Sequence, residues 1–184
     1  RTMWVYLMKT KGEASQLVHN FCMIAKTQFH ANVKIIRSDN EYEFTYGSMK
    51  QFFGEQGIIH QTTCVDTPQQ NGEVERKHRH ILNVARALRF QANLPIECWG
   101  ECVLTAGYLI NRTPSSILHG KTPYEILFGE KPPIVKCLAH FAMLIIFHDK
   151  RINLTNVAKG VYLSDIHVVK KDGKSMMWRL RIYL

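Results

Sequence analysis

Met3 to Met8 is an unbroken apolar run, MWVYLM, rich in aromatic and β-branched side chains, and predicts a strand reaching Thr10. The period then changes. Leu17, Phe21, Ile24 and Gln28, with Val18, Cys22, Ala25 and Phe29, recur at helical spacing and predict a helix ending near His30. Thr10-Lys-Gly-Glu13 reads as its capping box. VKIIRSD, Val33 to Asp39, is a short buried strand with Asp39 at its C-terminal end. Ser48-Met-Lys-Gln51 caps a second helix running to about Gln56, and GIIHQTTC is the next strand. Asp66 to Gly72, DTPQQNG, is a polar loop punctuated by Pro and Gly.

A long helix follows. Asn71 is its N-cap, Glu73 falls in its first turn, and Val74, His78, Ile81, Ala85 and Leu88 mark its apolar stripe. After ANLP, a largely apolar helix is expected from about Ile96 to Asn111. Thr122-Pro-Tyr-Glu125 is a second capping box, with Pro at the first helical position, opening a short helix to Phe128. From about Ala139 the pattern turns to strands: HFAMLIIF, KGVYLSD and HVVKKDGKSMMWRLRIYL, with Lys171-Asp-Gly-Lys174 as a hairpin turn. This order predicts an α/β domain with helices packed on a sheet, followed by a small β-rich tail. In such folds chemistry gathers at strand ends, where Asp39 sits.

Composition adds two constraints. Apolar residues are 46% of the 184, enough for a packed core. The net charge is +9, from 24 Lys and Arg against 15 Asp and Glu, which points to a polyanionic partner. The five cysteines, Cys22, Cys64, Cys98, Cys102 and Cys137, form no even framework and suit free thiols in a reducing compartment. Cys98 and Cys102 can share a helix face, but nothing near them has zinc-finger spacing, so buried apolar thiols are the favoured reading. The longest apolar run, Phe141 to Phe147, is too short to span a bilayer.

The candidate chemistry lies in TPQQNGEVERKHRH, Thr67 to His80, which mixes two carboxylates with a dense basic cluster. Carboxylates repel nucleic acid, yet phosphoryl-transfer sites need them as oxygen donors for hard divalent cations. Asp39 and one glutamate of the long helix meet that need. On a helix Glu73 and Glu75 lie about 200° apart, with Glu75 beside Arg79 and Arg86 and Glu73 beside Lys77 and Val84. Geometry leans to Glu75 but leaves both open; either could equally make an i,i+4 pair with Lys77 or Arg79. Arg76, Arg79, His80, Asn83 and Arg86 form a basic face away from the apolar stripe, suited to DNA backbone. Gln69, Gln70 and Asn71 can bond phosphates or bases, or simply form the turn. His60, Trp4, Trp99 and Tyr108 read as structural. Lys170, Lys171, Lys174, Arg179 and Arg181 make the tail basic.

IIRSDN with EF at 35–44, GIIHQTTCVDTPQQNGEVERKHRHILNVARALR at 57–89, WGECVLTAGYLINRTPSS at 99–116 and GKTPYEILFGEKPP at 120–133 resemble the integrase of copia-type retrotransposon polyproteins. Between Asp39 and Glu75 lie residues 40–74, 35 in all, the spacing of the last two acids in that family's DD(35)E signature. The resemblance implies an RNase H-like, retroviral integrase-type α/β core lacking its first two strands, plus a small β-rich C-terminal appendage. It divides the chain into an N-terminally incomplete catalytic core at 1–112, a connector with a short helix at 113–134, and a β-rich region at 135–184. It assigns metal-holding, catalytic roles to Asp39 and Glu75; the residues expected to contact DNA are Gln69, Gln70, Asn71, Arg76, Lys77, Arg79 and Arg86. The implied cofactor is Mg²⁺ or Mn²⁺. The implied partners are double-stranded DNA, both element ends and target, and further copies of the same protein, with no membrane; the implied location is the nucleus, with a cytoplasmic particle stage as the alternative. The implied reaction is 3′-end processing and strand transfer. No residue here matches the family's first Asp, nor its upstream His/Cys zinc module, so a fragment inactive by itself is expected, with an unpaired sheet edge. The family's Gly after SDN is replaced by Glu41 and Tyr42, where positive φ would strain the chain. A non-catalytic DNA-binding relic and an RNase H-like nuclease stay open as alternatives.

Overall fold

The computed structural model describes residues 2–38, 42–62, 72–132, 164–170 and 178–183. In chain order they form β1 (Thr2–Met8), α1 (Glu13–Phe29), β2 (Ile35–Ser38), α2 (Tyr42–Thr45), α3 (Ser48–Glu55), β3 (Ile59–Thr62), α4 (Gly72–Gln91), α5 (Trp99–Ile110), α6 (Pro123–Phe128), β4 (Ser164–Lys170) and β5 (Trp178–Tyr183). A 3-10 turn at Ile96–Cys98 leads into α5, so the expected helix starts three residues late as α-helix. The HFAMLIIF run, residues 159–163 and the Lys171–Lys174 turn lie outside the described residues.

The two capping boxes fare differently. At Thr122 the box is complete: Thr122 Oγ1 accepts from the Glu125 N–H at 3.0 Å, and Glu125 Oε2 accepts from the Thr122 N–H at 2.6 Å. That backbone donor holds the Glu125 carboxyl below its ordinary range. At Thr10 the helix begins later, with Gly12 as N-cap. The Glu13 carboxylate still reaches back to Thr10 N at 3.1 Å and Oγ1 at 3.0 Å, so the motif closes a turn ahead of α1 instead of capping it. Tyr42 opens α2 and is not among the residues with positive φ, while Glu41 lies outside the described residues.

β1 alternates between two cores, which fixes a three-layer arrangement. Trp4, Tyr6 and Met8 join one cluster with Val18, Phe21 and Ala25 of α1, Met49 and Phe53 of α3, and Ile36. Met3, Val5 and Leu7 join the other, with Ile81, Ala85 and Leu88 of α4 and Cys102, Val103 and Ala106 of α5. α5 lies very close to β1. A Cβ on Gly107 would stand 2.7 Å from Val5 Cγ2, and one on Gly100 would stand 2.9 Å from Leu7 Cδ1. Only glycine allows that approach without a shift of the strand or helix.

Among the described residues the sheet has five strands, in the order β1-β4-β5-β2-β3. β1 and β4 are parallel, β4 and β5 antiparallel, β5 and β2 antiparallel, and β2 and β3 parallel. From the sequence, a sheet with an unpaired edge is expected. Instead the two C-terminal strands stand between β1 and β2 and pair on both sides. The physical reason is backbone satisfaction: β1 and β2 each present a row of N–H and C=O groups, and an antiparallel pair of strands fills the gap between them.

Candidate catalytic and nucleic-acid-binding site

β2 runs through the sheet interior and ends at Ser38, the residue before Asp39. Its alternation is clear: Ile36 and Ser38 are 0% and 1% exposed, while Ile35 and Arg37 on the other face are partly open. Two side-chain pairs tie this end of β2 to β3 beyond the backbone ladder. Ser38 Oγ and His60 Nε2 share a hydrogen bond of 2.8 Å. Arg37 donates to Gln61 Oε1 through Nη2 at 2.8 Å and Nε at 3.3 Å. The Phe53 ring lies 4.9 Å from that of His60. The sequence gives Ser38, Arg37 and Gln61 no individual role; their pairing comes from the register of the parallel strands, with Arg37 on Gln61 and Ser38 on Thr62.

Burial lowers the His60 pKa from its ordinary 6.5, so the imidazole is neutral at pH 7. The folded value lies below the unfolded one. Stability linked to this group is therefore full above pH 6.5 and is lost as pH falls through the folded value. Urea unfolding on either side of pH 6.5 is expected to show this drop, and His60→Gln, which can keep a bond to Ser38, is expected to reduce it.

α4 begins at Gly72, which places Glu75 in its first turn. The side chains of Glu73 and Glu75 are outside what the structure describes, as are Asp39, Gln69, Gln70 and Asn71 entirely. From Arg76 onward the helix divides as its pattern predicts. His78, Ile81, Ala85 and Leu88 are buried. Arg76, Arg79, His80, Asn83 and Arg86 are exposed on the opposite face. Lys77 stands off that face and is half-buried. Phe90, 70% exposed, extends the open face, with the Arg89 guanidinium 5.2 Å from its ring centre. The arrangement offers a sequence-tolerant cationic surface on the helix that carries Glu75.

None of the three described thiols is activated. Burial pushes Cys22 and Cys102 up to about 11 and raises Cys98 as well, so all three are protonated at neutral pH. Among the described residues no three His, Cys, Asp or Glu side chains come together to hold a metal. No helix among them is long and apolar enough to cross a membrane.

No family model matches the chain. It is 38% identical over 126 residues, 68% of its length, to the retrovirus-related Pol polyprotein from transposon TNT 1-94 of Nicotiana tabacum. It is 34% identical over 132 residues, 72% of its length, to the Pol polyprotein from transposon RE1 of Arabidopsis thaliana. These matches span 10% and 9% of the two relatives, so the chain corresponds to about a tenth of each. Among solved structures it is similar to a chain of the simian T-cell lymphotropic virus intasome in complex with PP2A regulatory subunit B56 gamma. There the TM-score is 0.50 at 17% identity, covering 93% of this chain and 53% of that one, a likeness of fold. The chain belongs to the retrovirus-related Pol polyproteins of copia-type transposons.

Proposed function

We propose that the polyprotein containing this segment joins element DNA to target DNA, with Asp39 and Glu75 as two of its metal-holding carboxylates. The observation that carries the reading is their placement. Asp39 directly follows an interior strand, Glu75 falls in the first turn of α4, and the exposed basic face of that helix begins at the next residue. Two carboxylates are the donor set a hard divalent cation such as Mg²⁺ takes, and such an ion supplies charge neutralisation at a phosphodiester under attack. Arg76, Arg79 and Arg86 would hold the DNA backbone, and Gln69, Gln70 and Asn71 would add polar contacts to the DNA. Joining both ends of one element needs two such sites, so a homo-oligomer acting on nuclear DNA is the working form.

The test is direct. The chain is expected to bind duplex DNA with a steep salt dependence. Arg76→Gln with Arg79→Gln should lower the log–log slope by about 1.8, since each phosphate contact contributes about 0.9. Mn²⁺ binding, followed by titration calorimetry, should weaken roughly tenfold or more in Asp39→Asn and in Glu75→Gln, and stay unchanged in Glu73→Gln. Salt-independent DNA binding, or equal metal affinity in all three variants, would sink the reading.

A further inference from the structure

From Arg76 to its end at Gln91, α4 carries no carboxylate. Arg76, Arg79, Asn83, Arg86 and Phe90 follow one another at alternate spacings of three and four residues. At about 100° per residue they fall within roughly 80° of one another, in a single stripe about 21 Å long. All five are exposed. Three guanidinium groups and a carboxamide thus lead along the helix to an aromatic ring in its last turn.

Phe90 does little for the described fold. It is 70% exposed and belongs to neither apolar cluster, although Leu88, two residues earlier, is buried in one of them. Phenylalanine is also a poorer helix former than alanine, so the ring does not serve the last turn. Its surroundings are nevertheless ordered. Arg89 Nε donates to the Leu94 carbonyl at 3.1 Å, and the Leu94 N–H donates back to the Arg89 carbonyl at 2.9 Å. These two bonds hold the Arg89 guanidinium over the Phe90 ring, 5.2 Å from its centre. The cation attracts the ring face and helps to keep the ring in place.

An ordered ring, mostly in water, at the end of a cationic track has the two parts that hold unpaired nucleic acid. Cations follow the backbone, and a ring stacks on a base whatever its identity. Inside a duplex the base faces already cover one another. A single exposed ring therefore finds a stacking partner where a base is unpaired.

We propose that Phe90 is a stacking platform for an unpaired base of DNA, and that Arg76, Arg79 and Arg86 lead the strand carrying that base along α4. The inference rests on the DNA-binding reading of α4 and names the form of DNA that the far end of the helix takes.

Fluorescence anisotropy on the full chain tests it, with a short labelled single strand and a blunt duplex of the same sequence, over a series of salt concentrations. Phe90→Ala should weaken binding of the single strand about tenfold, the scale of one base–aromatic stack, and leave the duplex unchanged. Its log–log salt slope should match that of the unaltered chain, because the ring carries no charge. Phe90→Leu keeps an apolar side chain without the ring and should lose as much, whereas Phe90→Trp should keep the affinity. Ile96→Ala removes another exposed apolar side chain and should change nothing. Equal losses on single strand and duplex, full affinity in Phe90→Leu, or the same loss in Ile96→Ala would each overturn the platform. If Arg76→Gln with Arg79→Gln lowers the slope while Phe90→Ala binds like the unaltered chain, the platform falls and the cationic surface of α4 stands. If the unaltered chain binds neither DNA, both fall. Should Phe90→Ala unfold the chain, the other two variants decide: equal affinities in Phe90→Leu and Phe90→Trp overturn the platform.

Discussion

Asn111→Leu is expected to cost the fold about 2–4 kcal/mol, read as a lower urea midpoint at an unchanged slope. Asn111 is 1% exposed and follows the last turn of α5. Its Oδ1 accepts from the Met3 N–H at 2.8 Å, and its Nδ2 donates to the Met3 carbonyl at 2.7 Å. Among the described residues β1 pairs with β4 alone, so the outward peptide groups of Met3 face no described strand. The carboxamide stands in for one, offering an acceptor and a donor with the spacing of a peptide. Leucine keeps the bulk and removes both partners. A donor and an acceptor are then left bare beside a buried residue, at roughly 1–3 kcal/mol for each. Asn111→Asp separates the two contributions. It keeps the acceptor and sets a carboxylate against the Met3 carbonyl, so its loss should shrink as pH falls and the acid regains a proton to donate. The effect reaches the candidate site, because α5 seats on β1 through Gly100 and Gly107 and α4 packs on α5. Loosening the clamp should loosen the helix that presents Glu75, Arg76 and Arg79.

The contrast between Asn111 and Thr122 shows what the sequence makes legible. Thr122 and Glu125 are three residues apart, and their box forms as the motif predicts because both partners belong to one turn. Helical and strand periods are equally local, so β1, α1, β2, α3, β3, α4 and α6 lie close to where the pattern sets them. The buried and open faces of α4 from Arg76 onward follow from the same period. Asn111 and Met3 are 108 residues apart, and no local rule connects them. Ser38 with His60 and Arg37 with Gln61 depend likewise on a register that only the folded sheet sets. Thr10 is an instructive local failure. Its box residues bond as expected, yet the turn through Lys11 and Gly12 delays the helix, so satisfied hydrogen bonds did not define the helix start. Of the candidate site, the acids are proposed from motif and spacing, the basic face of α4 follows from the helical period, and the place of β5 beside β2 comes from topology alone.

Val168→Pro should be the most damaging single change in the C-terminal hairpin. Val168 stands opposite Tyr6 of β1 on one side and Trp178 of β5 on the other. Proline removes a ladder donor and fixes φ, which sheets tolerate at edges, at bulges and at the first residue of a strand. Inside a doubly paired strand it should cost about 3 kcal/mol or more, from the lost bond and the carbonyl it leaves bare. Ser164→Pro, at the first residue of the same strand, should cost far less. Equal costs at the two positions would show that β4 is not an interior strand. The damage should also spread, because β4 and β5 are what join β1 to β2 and β3 in the sheet. Amide exchange would report this: residues 165–169 and 179–182 should exchange slowly in the unaltered chain, and Val168→Pro should release those of Ile35–Ser38 as well. Release confined to the hairpin would mean that β2 and β3 hold without it.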